Sequence, residues 1–183
     1  ACLVSGYDGR INVLREFLAS TNAGAGSLGS KGVAAVVIHV GILPRVLKLG
    51  LFQSTVQGRK LVSFNGHGNV NVWGDVILAR DVGSLNYAGG TWVTAFSCLT
   101  GNYADNNAIC RAFTNKPGTL GYLGSTQVSA VSINSYLQSG GFWDFYQDGG
   151  WSPAAGLFGV KYLYCLFGNQ YGKLTVYEYN LYG

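Results

Sequence analysis

Two side chains capable of covalent chemistry close two apolar runs. His67 lies in "FNGHGNVNVW", Phe64 to Trp73, between two glycines and directly after "KLVSF". Cys98 lies in "WVTAFSCLTG", 31 positions later. An imidazole beside a thiol favours the thiolate and supplies the proton for a leaving group. Glycines around the histidine let its backbone approach a substrate, and the Gly68 and Cys98 amides would then both face a developing oxyanion. Each residue alone has a plainer reading. A cysteine ending an apolar strand is usually packing, and a histidine between glycines can be a turn residue. Their pairing at successive strand ends is what points to catalysis.

The other candidate groups carry less. The second histidine, His39 in "VVIHV", reads as a core or strand-end residue. Cys2, Cys98, Cys110 and Cys165 make no CxxC pair, so with two histidines little is left for zinc, and neither metal nor cofactor is expected. Spacing does not decide between two disulfides and one reactive thiol with three buried ones. "GAGSLG", Gly24 to Gly29, matches a dinucleotide-binding fingerprint, but it follows a helical pattern and precedes a strand, the reverse of what phosphate binding requires. A flexible helix-to-strand connection is the expectation there.

The elements that must position the pair alternate between strand and helix. "ACLVSG" is a short first strand. "NVLREFLAS" puts Val13, Leu14, Phe17 and Leu18 on one helical face, with Asn12 as a candidate N-cap. "GVAAVVIHV" is a continuous β-branched run, the mark of a strand covered on both faces. Pro44 opens a helix that would bury Val46, Leu47, Leu49 and Leu51, although Gly50 weakens it. "KLVSFN" and "TWVTAFS" are the strands ending at His67 and Cys98. "NNAICRAFTN" reads as a helix and "GTLGYLGS" as a strand. "VSINSYLQSGGFWDFYQ" reads as helical, its "FWDFY" burying one face. "SPAAGLFGVKYLYCLFGN" is a helix capped by Ser152 and opened by Pro153, and "KLTVYEYNLYG" closes with strand-like alternation. This order implies an α/β domain with a mainly parallel sheet. In such sheets ligands bind at the carboxyl ends of the strands.

The 183 residues suit a single domain spanning 1–183 with a real core. No apolar run approaches the roughly 20 residues of a membrane span, so a soluble domain without one is expected. A net charge of +4 from scattered basic residues gives no stripe that would track a phosphate backbone, so no nucleic-acid partner is expected. Few charges alongside 28 glycines and 12 tyrosines suit a secreted, extracellular protein. With Ala1 first and methionine absent, a processed product without a remaining signal peptide is expected.

Taken together, these residues resemble the catalytic domain of the gingipain-type cysteine peptidases, of the same clan as caspases and legumains. The clan carries His-Gly after one strand and a cysteine ending the next. The family's GHG loop followed by Trp-Gly is matched by "GHGNVNVWG". Its CxxG segment with a small helix, and its strand ending in "ST", are matched by "SCLTGNYADNNAICRAF" and "GTLGYLGST". The closing "YNLYG" is similar to a late aromatic segment of the family.

The resemblance implies a caspase/hemoglobinase-like three-layer α/β sandwich, its mainly parallel sheet flanked by helices. It implies a cysteine endopeptidase working through a thioester, with Cys98 as nucleophile, His67 as general acid/base, and the Gly68 and Cys98 amides as oxyanion hole. "GSTQVS" would line the primary specificity pocket through Ser125, Thr126 and Gln127. Trp73 is a further candidate for substrate contact, although packing its own loop is the commoner role. Implied partners are a peptide or protein substrate and an upstream propeptide or subdomain, with a homo-oligomer also allowed.

Two departures matter. The family's preceding subdomain, which supports the histidine and supplies an acidic pocket floor, has no counterpart in this sequence. Val131 stands near the position of a family tryptophan, so Arg or Lys specificity is not carried over. Asp8, Asp75 and Asp105 lie nearest the motif loops and read as caps or turn residues. Two other readings stand beside the enzyme. One is a non-catalytic, self-assembling extracellular module that retains the fold. The other is a disulfide-stabilised secreted binding domain with Cys98 in a bridge.

Overall fold

Alternating apolar residues, each alternate set facing a different helical layer, decide the architecture. The computed structural model describes residues 1–6, 11–39, 43–87, 89–148, 150 and 152–183. In chain order the strands begin with β1 (Cys2–Ser5), β2 (Val36–His39) and β3 (Leu61–Asn65). A small antiparallel meander follows, of β4 (Gly68–Asn69), β5 (Val72–Trp73) and β6 (Ile77–Leu78). The last strands are β7 (Thr91–Phe96), β8 (Thr119–Ser125) and β9 (Tyr179–Tyr182). The main sheet has the order β2-β1-β3-β7-β8-β9, parallel throughout except that β9 runs antiparallel to β8. It is the mainly parallel sheet the sequence pattern predicts.

The helices are α1 (Ile11–Ser30), α2 (Arg45–Val56), α3 (Ile109–Thr114), α4 (Val131–Tyr136), α5 (Phe142–Asp148), α6 (Pro153–Phe167) and α7 (Gln170–Tyr177). On one face, Val62, Phe64, Val93, Ala95 and Tyr122 pack with Phe52 and Val56 of α2 and Ile109 and Phe113 of α3. On the other, Leu3, Leu61, Phe96 and Leu123 pack with Leu28 of α1 and with Phe142, Trp143, Val160 and Val176 of the later helices. Each buried Val, Leu, Ile or Phe among them contributes about 1.5–3 kcal/mol by its removal from water. The result is a three-layer arrangement. No helix among the described residues is long and apolar enough to cross a membrane.

Local expectations fare unevenly. Ser152 caps α6 by accepting from the Ala155 amide, with Pro153 in the first turn. Phe142, Trp143 and Tyr146 make α5 bury one face. The "GAGSLG" stretch is not a loop: it lies inside α1, which runs on to Ser30. Gly24 is there for closeness, since a Cβ would sit 2.1 Å from the Gln138 carbonyl oxygen. Asn12 falls within α1 rather than before it.

The β-branched run of β2 forms an edge strand, with only Ile38 buried, because β1 covers one side alone. His39 is an exposed strand-end residue whose ring nitrogens meet Ser5 Oγ at 2.7 Å and Asn22 Oδ1 at 3.2 Å. In α2 the buried row is Lys48, Phe52 and Val56, while Val46, Leu47 and Leu51 are exposed and Leu49 is half-buried. The stretch from Lys173 to Tyr177, expected as strand, completes α7, which Asn169 caps by accepting from the Gly172 amide.

Candidate active site

The β3–β7 ladder sets the height of both candidate residues. Its last pair is Asn65 with Phe96, so His67 and Cys98 each stand two residues beyond the same rung. Pairing is prolonged by the Ser97 hydroxyl, which donates to the Gly66 carbonyl at 2.7 Å. Gly68 then seats directly on the cysteine turn. A Cβ at that position would lie 2.3 Å from Ser97 Oγ, 2.6 Å from Thr100 Cγ2 and 3.0 Å from the Cys98 carbonyl oxygen. Only glycine allows this approach, and it is why the loop reads His-Gly. His67 and Cys98 are both half-buried, so both reach the surface.

The histidine loop is held from below by rings. Trp73, fully buried, stacks on Phe64 at 5.1 Å and on Phe113 at 4.8 Å, and its indole N–H donates to the Tyr122 hydroxyl at 3.0 Å. It therefore packs the loop down and offers no surface to a substrate, which corrects the expectation of contact. Burial raises the Tyr122 phenol well above its ordinary range, so it stays protonated. Asp75 pairs with the buried Lys48 ammonium of α2, tying the meander to that helix. Beside the imidazole stands Phe17 of α1, edge to face at 5.5 Å. Asn65 fixes that helix: its Nδ2 donates to Ser20 Oγ at 2.7 Å, and Ser20 Oγ donates to the Phe17 carbonyl.

The thiol is surrounded differently. Leu99, immediately after it, adopts φ 57°, a left-handed conformation uncommon for a bulky side chain. Its amide donates to the Gln127 carbonyl at 2.8 Å, stitching the cysteine turn to the segment after β8. That segment wraps the sulfur. The Cys98 thiol donates to the Ser129 carbonyl at 3.3 Å, and Sγ accepts from the Ser129 amide at 3.4 Å and its hydroxyl at 3.7 Å. Behind Ser129, Asn134 Nδ2 donates to the serine oxygen at 2.9 Å and the Tyr179 hydroxyl donates to Asn134 Oδ1 at 2.6 Å.

The predicted pocket residues divide. Ser125 is buried with its hydroxyl turned onto the Gln127 carbonyl, Thr126 is half-buried and bonded to the Glu178 carbonyl, and Gln127 is exposed. Asp105 is a turn residue that accepts from the Asn107 amide, and Asp8 lies outside the described residues. All four cysteines are free, so no bridge joins Cys98 to another cysteine of the chain. Among the described residues no group of His, Cys, Asp and Glu could hold a metal.

As site residues Phe17, Asn134 and Tyr179 were missed, and Ser129 was read only as the end of the pocket stretch, not as a partner of the sulfur. Each meets the site across a long sequence separation, and only Ser129, inside the quoted "GSTQVS", lay near a motif.

A mainly parallel sheet between two helical layers, with a His-Gly loop and a cysteine at neighbouring strand ends, defines a caspase-like α/β protein. The chain belongs to peptidase family C25, whose model matches residues 3–183. Similar solved structures include that of the Arg-specific cysteine proteinase gingipain R (RgpB), 16% identical with a TM-score of 0.70, covering 100% of this chain and 45% of that chain. Another is the complex of the pro- and mature domains of Porphyromonas gingivalis RgpB, 16% identical with a TM-score of 0.69, covering 100% and 46%. A structure described only as a protease is 14% identical with a TM-score of 0.70, covering 100% and 46%. The chain thus spans less than half the length of these proteins. No curated protein matches it by sequence.

Proposed function

We propose that the chain is a cysteine endopeptidase domain in which Cys98 attacks a peptide carbonyl and His67 moves the proton. The sulfur–carbon bond forms as the carbonyl becomes an oxyanion, which the Gly68 and Cys98 amides receive. The imidazolium then protonates the leaving amine, the C–N bond breaks, and water taken through His67 hydrolyses the thioester. The observation that carries this reading is the shared rung: His67 and Cys98 both stand two residues past the Asn65–Phe96 pair, with Gly68 against the Cys98 carbonyl.

The same reading takes residues 1–183 as one catalytic domain and gives Thr126 and Gln127 the rim of the substrate pocket. It takes an upstream propeptide or subdomain as a partner, as the pro–mature complex of RgpB suggests. An extracellular site of action belongs to the proposal and rests on composition. Cleavage of a peptide library by the wild type, lost in Cys98→Ala and lowered about 10²–10⁴-fold in His67→Ala, is the expected result. Equal cleavage by the Cys98→Ala variant would overturn it.

One observation favours a second reading, a self-assembling module. Phe158, Tyr162, Leu166 and Phe167 of α6 and Tyr171 and Leu174 of α7 are more than half exposed, a large apolar face. Size-exclusion chromatography reporting oligomers, together with an inert Cys98, would favour it over the enzyme.

A further inference from the structure

Buried polar groups are costly unless they are satisfied, and a fully connected network fixes the geometry of its members. Ser129, Asn134 and Tyr179 are all buried, at 5%, 1% and 1% exposure, and their network ends at the sulfur of Cys98. We infer that Ser129, oriented by Asn134 and Tyr179, is a positioning residue for the Cys98 thiol. The inference rests on Cys98 being the nucleophile.

The side-chain to side-chain hydrogen bonds run from Tyr179 through Asn134 and Ser129 toward the sulfur. The Tyr179 phenol, which burial keeps protonated, donates to Asn134 Oδ1 and also lies against Ser129. That fixes the amide so that Nδ2 donates to Ser129 Oγ. With its oxygen accepting from Asn134, the serine hydroxyl directs its own proton at Sγ, 3.7 Å away. Ser129 addresses both states of the sulfur. Its carbonyl receives the S–H at 3.3 Å, while its amide and hydroxyl are the donors a negative sulfur requires. Such donors strengthen as the acceptor gains charge. An apolar side chain could fill the space beneath Cys98, but it would neither choose a rotamer for the sulfur nor hold it as the proton leaves.

The test measures iodoacetamide alkylation of Cys98 by peptide mapping, which separates it from the exposed Cys165. Wild type is compared with Ser129→Ala, Ser129→Thr, Tyr179→Phe and the Ser129→Ala/Tyr179→Phe double variant, and peptide-library hydrolysis is followed in parallel. Ser129→Ala is expected to slow alkylation about tenfold, the loss of one hydrogen bond to a charged group. Ser129→Thr, which restores the hydroxyl, should recover most of the rate. Tyr179→Phe should cost about threefold alone and add nothing to Ser129→Ala, because both act through one hydroxyl. In hydrolysis the loss should fall on kcat and leave KM within about twofold.

Equal alkylation rates in all variants, or losses that simply multiply, overturn the inference. If Ser129→Ala does not fold, Tyr179→Phe decides, since it deletes one distant hydroxyl: a slower Cys98 supports the inference and an unchanged one refutes it. A wild type that cleaves no peptide but alkylates in a Ser129-dependent way would sink the peptidase reading and leave the positioning role standing.

Discussion

On one side of the β3–β7 junction the histidine loop rests on rings: Trp73 between Phe64 and Phe113, with the edge of Phe17 against the imidazole. On the other side the thiol rests on a polar chain through Ser129, Asn134 and Tyr179. The supports differ because their tasks differ. Ring packing is strong but weakly directional, and it fixes the path of a loop. Hydrogen bonds are worth less in net stability but select the orientation of one atom. Disturbing the ring side should therefore cost stability first, whereas disturbing the polar side should cost reactivity first.

The largest expected effect removes the reacting groups themselves. Cys98→Ala should abolish peptide hydrolysis, and His67→Ala should lower it about 10²–10⁴-fold. Both should leave the thermal midpoint within a few degrees of wild type. Next, Gly68→Ala forces a methyl into Ser97 and Thr100 and parts the two loops. Hydrolysis should fall about 10²-fold through misplacement, for about 1–3 kcal/mol of stability by urea titration.

Trp73→Ala attacks the ring side alone and should cost about 3–5 kcal/mol, the range for emptying a buried aromatic site. A Trp73→Ala protein that keeps full stability but loses activity would break the comparison. Asp75→Asn leaves the Lys48 ammonium buried without its counter-ion. Because Asp75 is itself 48% exposed, the cost is discounted to about 1–2 kcal/mol, again in urea.

A pH dependence of stability is expected as well. Burial pushes the Cys110 thiol from 9.0 to about 11 and the Cys2 thiol from 9.0 to about 12. The unfolded chain therefore releases these protons first, so stability present below pH 9.0 declines as pH rises toward about 11 and 12. Thermal melts between pH 8 and 11 should show the decline, and Cys110→Ala should flatten it.

The strands ending at the candidate pair were legible because β3 and β7 are covered on both faces and read as apolar runs closed by glycine-rich or polar turns. The His-Gly step was legible because Gly68 must touch Ser97 and the Cys98 carbonyl. What stayed hidden depends on partners distant in sequence. The buried row of α2 centres on Lys48, a residue that reads as surface until Asp75, 27 positions later, supplies its charge partner. α1 runs through Gly24 because it packs against Gln138 of the segment between α4 and α5. Helix α7 overrides strand-like alternation with a cap at Asn169. The support of the thiol joins Cys98 to Ser129, Asn134 and Tyr179 across three separate elements, a combination no local pattern announces.

The most direct test of the central claim is peptide-library cleavage by the wild-type chain beside its Cys98→Ala variant, with the Cys98 peptide mapped after iodoacetamide treatment. The account predicts cleavage by the wild type alone and prior loss of that cleavage in proportion to label on Cys98. Cleavage that survives Cys98→Ala, or full labelling of Cys98 with cleavage intact, would contradict it.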